Sequence, residues 1–94
     1  MIVERTIAKA KPGRVAEATA LLRAQCETWG MPYRIYVPIS GPENGLVSEV
    51  EFESMAKREE FWEKWLAKPD NLAWLEQVYA LVENEASTEF YRLL

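Results

Sequence analysis

The chain has no histidine and a single cysteine, and each scarcity removes a class of chemistry. Without histidine there is no Ser-His or Cys-His nucleophile pair, no imidazole general base and no imidazole metal ligand. One cysteine forbids an internal disulfide. With no histidine to activate it, Cys26 reads as a small buried apolar side chain rather than a nucleophile. No apolar run approaches the roughly 20 residues that a membrane helix needs. An excess of basic charge is also missing: the net charge is −4 with both signs interspersed, which offers no footprint for phosphate backbones or anionic lipid. The opening segment from Met1 to Lys9 carries Glu4, Arg5 and Lys9 in an alternating pattern and lacks the apolar block of a secretory signal. We therefore expect a soluble, cytoplasmic protein with no membrane or nucleic-acid partner. What is present is a globular balance, 49% hydrophobic and 28% charged, over 94 residues. That length suits one domain, residues 1–94, burying roughly 60–65% of its unfolded surface.

Hydrophobic period sets the order of elements. Met1 to Lys9 alternates Ile2, Glu4, Thr6 and Ala8 against Val3, Arg5 and Ile7, a strand whose inward face the pattern leaves open. Lys11-Pro12-Gly13 breaks it, and Val15, Ala18, Leu22, Cys26 and Trp29 then recur at helical spacing, with Pro12 suited to the first helical position and Gly30 to the stop. Tyr33 to Ile39 alternates again, and its Pro38 marks an edge strand. Gly41-Pro42-Glu43-Asn44-Gly45 turns it into a hairpin with Leu46–Glu53, where Val47, Glu49, Glu51 and Glu53 share one side. Ser54 then stands as an N-cap before a helix reaching about Lys68, with Phe61, Trp62 and Trp65 inward. Pro69 ends that helix, and Asp70 or Asn71 is placed to cap a further one through Leu72, Trp74, Leu75, Val78, Tyr79 and Val82, whose apolar sector is too wide for one contact. A polar stretch from Glu83 to Ser87 leads into a last strand, Thr88 to Leu93.

The order β-α-β-β-α-(α)-β, joined by right-handed crossovers, gives a ferredoxin-like α+β domain: a four-stranded antiparallel sheet with helices on one face. The uncovered face is expected to carry Arg5, Arg34, Tyr36, Glu49, Glu51 and Arg92, either solvated or covered by the sheet of a second subunit, with arginines pairing the acidic strand and an aromatic Tyr36 or Tyr91 there favouring the covered reading.

Lys11-Pro12-Gly13 after the first strand, Gly41-Pro42 and Asn44 in the hairpin, and Phe52-Glu53-Ser54-Met55 ahead of Phe61-Trp62 resemble the small dimeric α/β-barrel proteins, nearest the NIPSNAP-like group beside the antibiotic-biosynthesis-monooxygenase-like (ABM-like) proteins. The resemblance spans essentially the whole chain and its motifs are structural. It implies a homodimer with sheets packed back to back and, in each subunit, a cavity between sheet and helices. Haem-degrading members of this superfamily hold iron through histidine, which this chain lacks, so no cofactor is expected. Nor is a metal expected, since Glu49, Glu51 and Glu53 repeat at about 7 Å along one strand face, a spacing that suits cross-strand arginines.

Within the implied cavity the candidate residues are Tyr33, Arg58, Trp62, Trp65 and Asn71, with the indoles stacking a small apolar or aromatic ligand or simply packing the core. Cofactor-independent monooxygenases of the superfamily oxidise phenolic or polycyclic substrates using asparagine, tryptophan and tyrosine. Their resemblance implies roles for Trp62 or Trp65 in positioning a ring and for Tyr33 or Asn71 in aiding deprotonation, although Arg58 stands where an amide would be. A third reading is a protein-interaction module in which the broad apolar sector of the last helix, Trp74 included, recruits a partner.

Overall fold

The computed structural model describes residues 1–83 and 86–94. Strand β1 (Ile2–Lys9) is followed by helix α1 (Val15–Cys26), the hairpin β2 (Tyr33–Tyr36) and β3 (Gly45–Phe52), helices α2 (Met55–Leu66) and α3 (Pro69–Leu81), and β4 (Ser87–Arg92). The four strands form one antiparallel sheet in the order β2-β3-β1-β4. The ferredoxin-like order read from the sequence is the order observed. The expected polar stretch after α3 includes positions 84 and 85, which lie outside the described residues.

Small residues set how closely the layers approach. Ala10 and Ala18 are buried with Leu46 and Leu81 at the centre of the core, and Val15, Leu21, Leu22 and Ile35 pack around them. The end of α3 is tied to the end of β1 by main-chain bonds: Lys11 N–H donates to the Leu81 carbonyl at 2.9 Å and Glu83 N–H to the Lys9 carbonyl at 2.8 Å. Under α2 the packing is aromatic. Trp29, at the turn after α1, meets Phe61, Trp62 and Trp65 edge to face at centroid separations of 5.5, 5.3 and 6.3 Å, and Trp74 of α3 meets Trp65 at 5.8 Å. Edge-to-face rings place the positive rim of one against the negative face of the next.

Several boundaries differ from the periodic pattern. Helix α1 begins at Val15 because Lys11–Arg14 closes a turn, with Arg14 N–H donating to the Lys11 carbonyl at 2.9 Å, so Pro12 lies in that turn instead of at the first helical position. Strand β2 stops at Tyr36, two residues before Pro38, which has no N–H to give the ladder. Ser54 does cap α2, its hydroxyl accepting the Lys57 N–H at 3.2 Å, but α2 ends at Leu66. Pro69 opens α3 instead of separating the helices, and its N-cap is Lys68 rather than Asp70 or Asn71. Among the described residues no helix is long and apolar enough to cross a membrane.

Candidate functional site

Residues directly opposite one another in an antiparallel pair share a face of the sheet, so the register decides the inward face of β1 that alternation left open. Glu4 lies opposite Val50 and Phe90, and with Ile2 and Thr6 it faces the helices. This carboxylate is 5% exposed. A buried charge is tolerated only when paired and hydrogen-bonded, and α2 supplies both needs. Arg58 sets its Nε at 2.8 Å and its Nη2 at 2.7 Å from Glu4 Oε2, while the Trp62 indole N–H donates to Oε1 at 3.2 Å. Arg58 and Trp62, one turn apart on a helix capped by Ser54, thus hold one carboxylate from above. The guanidinium also sits 5.2 Å from the Phe90 ring centroid and bonds Glu59 at 2.8 Å. Burial opposes the Arg58 charge, yet the two carboxylates more than offset that cost, and its pKa stands above the ordinary arginine value.

The other expected cavity residues are not gathered around this point. Trp65 is buried in the aromatic cluster, and its indole N–H has no partner among the described residues. Asn71 turns back and donates its amide to the Trp65 carbonyl at 2.8 Å, closing the end of α2. Tyr33 donates its hydroxyl to Glu27 beyond the end of α1, and that bond raises its pKa. Trp74 points inward, its N–H on the Leu21 carbonyl at 3.3 Å, so the exposed part of the wide α3 sector is Leu72 and Tyr79. The region between sheet and α2 is therefore occupied by rings, and its accessible part lies toward β4, where Phe90 is 43% exposed and every residue from Ser87 to Arg92 is exposed.

Glu4 escaped the sequence reading because both phases of β1 mix apolar and charged residues. A signal was nevertheless there: Arg58 falls on the inward stripe of α2 with Trp62 and Trp65, and an inward arginine calls for an acid on the surface it meets.

The outer face of the sheet brings together Arg5, Arg34, Tyr36, Glu49 and Glu51. Glu49, 7% exposed, accepts from Arg5 Nε and Nη2 at 2.9 and 2.6 Å, from Arg34 Nε at 3.0 Å and from the Tyr36 hydroxyl at 3.0 Å. Arg34 also bonds Glu51 at 2.8 Å. These bonds, Arg5 foremost, hold the Glu49 carboxyl below the ordinary glutamate value, and both arginines stand above theirs. Arg92 is a correction. The β1–β4 register sets it opposite Ile2, on the helix side, and it is Tyr91 that reaches the outer face, under the Arg5 guanidinium at 5.2 Å. Cys26 is buried as expected, and burial pushes its thiol up to about 11.

No protein-family model and no curated protein matches the chain. Solved structures do. An uncharacterised NIPSNAP domain protein from Burkholderia xenovorans superposes with a TM-score of 0.86 at 18% identity, covering 100% of this chain and 95% of the other. An antibiotic biosynthesis monooxygenase gives 0.73 at 13% identity over 100% and 99%. A variant of SnoaB, a cofactor-independent oxygenase from Streptomyces nogalater, gives 0.74 at 11% identity over 98% and 91%. The chain thus has the fold shared by NIPSNAP domain and ABM-like proteins, the architecture its short motifs resemble.

Proposed function

We propose that two copies pair through the uncovered faces of their sheets and that each binds a small apolar or aromatic molecule on the helix side, against Trp62 and Phe90. The observation that carries the ligand reading is the half-exposed Phe90 ring on the strand beside a buried carboxylate and on the same face, with a guanidinium over one and an indole on the other. Flat apolar surface with a few converging polar groups is the composition of small-molecule sites. Pairing is supported by the outer face itself. Its charges are already satisfied within the chain, so a second sheet laid over Glu49 strands no carboxylate, and Tyr36 and Tyr91 offer half-exposed rings.

Calorimetric titration with 2-naphthol tests the ligand reading. One probe per chain is expected, and Phe90→Ala, at an exposed position, should weaken binding about tenfold; equal binding by that variant would count against the site. A second reading, an oxygenase working without cofactor, is favoured by the fold shared with such an enzyme and by Trp62 beside a carboxylate. Asn71 and Tyr33, the groups expected to aid deprotonation, are both engaged elsewhere. Oxygen uptake above background with 2-naphthol, without added metal or flavin, supports that reading, and none removes it.

A further inference from the structure

We propose that Glu4 is the specificity-determining residue of this site and that it selects uncharged molecules carrying a hydroxyl or N–H donor while rejecting anions; the inference rests on the ligand reading above and adds the polar chemistry of the ligand. Two observations lead to it. The first is the count of acceptor positions. An ionised carboxylate has about four lone-pair directions, two on each oxygen. On Oε2 Arg58 donates its Nε and sets Nη2 at an ion-pair distance of 2.7 Å, whereas Oε1, among the described residues, receives only the Trp62 N–H. At least one acceptor position, on Oε1, is open on a buried carboxylate, and its residue is directly opposite the exposed Phe90 in the β1–β4 register. A ring laid on Phe90 with a donor at its edge satisfies it.

The second observation is charge. Arg58 would be the natural receptor for a carboxylate ligand, but it is bonded to two carboxylates of its own, Glu4 at 2.7 Å and Glu59 at 2.8 Å. One cation against two anions leaves the Arg58 cluster with an excess of negative charge, and Arg92, on the same face, stands opposite Ile2 rather than Glu4. In this partly buried setting a ligand anion meets repulsion that solvent screens incompletely. Arg58 accordingly holds Glu4 in place and is not the anion receptor its position suggests.

Three probes on one ring system separate these effects by calorimetry at neutral pH: 2-naphthol (a neutral donor), 2-methoxynaphthalene (no donor) and 2-naphthoate (an anion). The wild-type chain is expected to bind 2-naphthol at least about tenfold more tightly than either of the others. Glu4→Gln keeps the side-chain length and one acceptor oxygen, for Arg58, while it turns an amide NH2 toward the Trp62 side and removes the negative charge. In that variant the order should invert, with 2-naphthoate bound more tightly than 2-naphthol, a change that loss of structure would not produce. Wild-type binding of 2-naphthoate or 2-methoxynaphthalene as tight as that of 2-naphthol overturns the inference while leaving the ligand site standing, and it does so even where Glu4→Gln does not fold. An unchanged order in a folded Glu4→Gln variant also overturns it. Failure of all three probes to bind removes the ligand site and this inference together.

Discussion

Glu49 and Glu4 are both buried glutamates on the central strands, one on each side of the sheet, and they do different work. Glu49 has all four acceptor positions filled from Arg5, Arg34 and Tyr36, so nothing further is asked of it. Its role is to fix neighbouring strands in register across the outer face. Both arginines remain partly exposed, which limits what each ion pair contributes, and the loss on substitution comes mainly from the buried acceptor. Glu49→Gln is predicted to lower the unfolding free energy by about 1–2 kcal/mol in urea titrations. The pH dependence has a definite sign. Folding depresses the Glu49 pKa, chiefly through Arg5, so its stabilisation is complete above the ordinary value of 4.5 and is lost as pH falls through the lower folded value. Wild-type protein should therefore lose stability below about pH 4.5 more steeply than Glu49→Gln. Parallel curves for the two proteins would show that Glu49 is not responsible.

Turns and caps join the elements, and the Gly41–Gly45 hairpin turn and the Ser54 cap were legible in the sequence where the starts of α1 and α3 were not. Ser54 stands where an alternating period gives way to a helical one, and its hydroxyl does bond the N–H three residues on. Ser54→Ala should cost about 1 kcal/mol, read from the thermal midpoint or urea titration. Gly45 has a different duty. A Cβ there would stand 2.8 Å from Pro38 Cγ and 3.3 Å from the Pro42 carbonyl, so the hairpin closes only over a bare backbone. Gly45→Ala is predicted to destabilise by about 1–3 kcal/mol, read from urea titration. Side-chain placement was less legible because it depends on register. A slip of one residue moves a side chain to the opposite face, which is how Arg92 was expected on the outer face when its place belongs to Tyr91. For the same reason alternation could not show that Glu4 turns inward. Asn71, suited by sequence to begin a helix, instead closes the one before it, a choice set by the two-residue link between α2 and α3.

The whole molecule is asymmetric across its sheet: three helices cover one side, and an internally bonded layer of arginine, glutamate and tyrosine covers the other. β4 is the edge strand beside β1 and its residues are exposed, which leaves the Phe90 ring accessible next to the Arg58 guanidinium of α2. In the proposed dimer a second copy on the outer face would back the sheet that carries Glu4 and Phe90, so pairing and ligand binding belong to one account. Native mass spectrometry of freshly purified protein tests that account most directly. It predicts a dimer of the 10.9 kDa chain that takes up one 2-naphthol per subunit when the probe is added. A monomer, or a dimer whose mass the probe leaves unchanged, would contradict it.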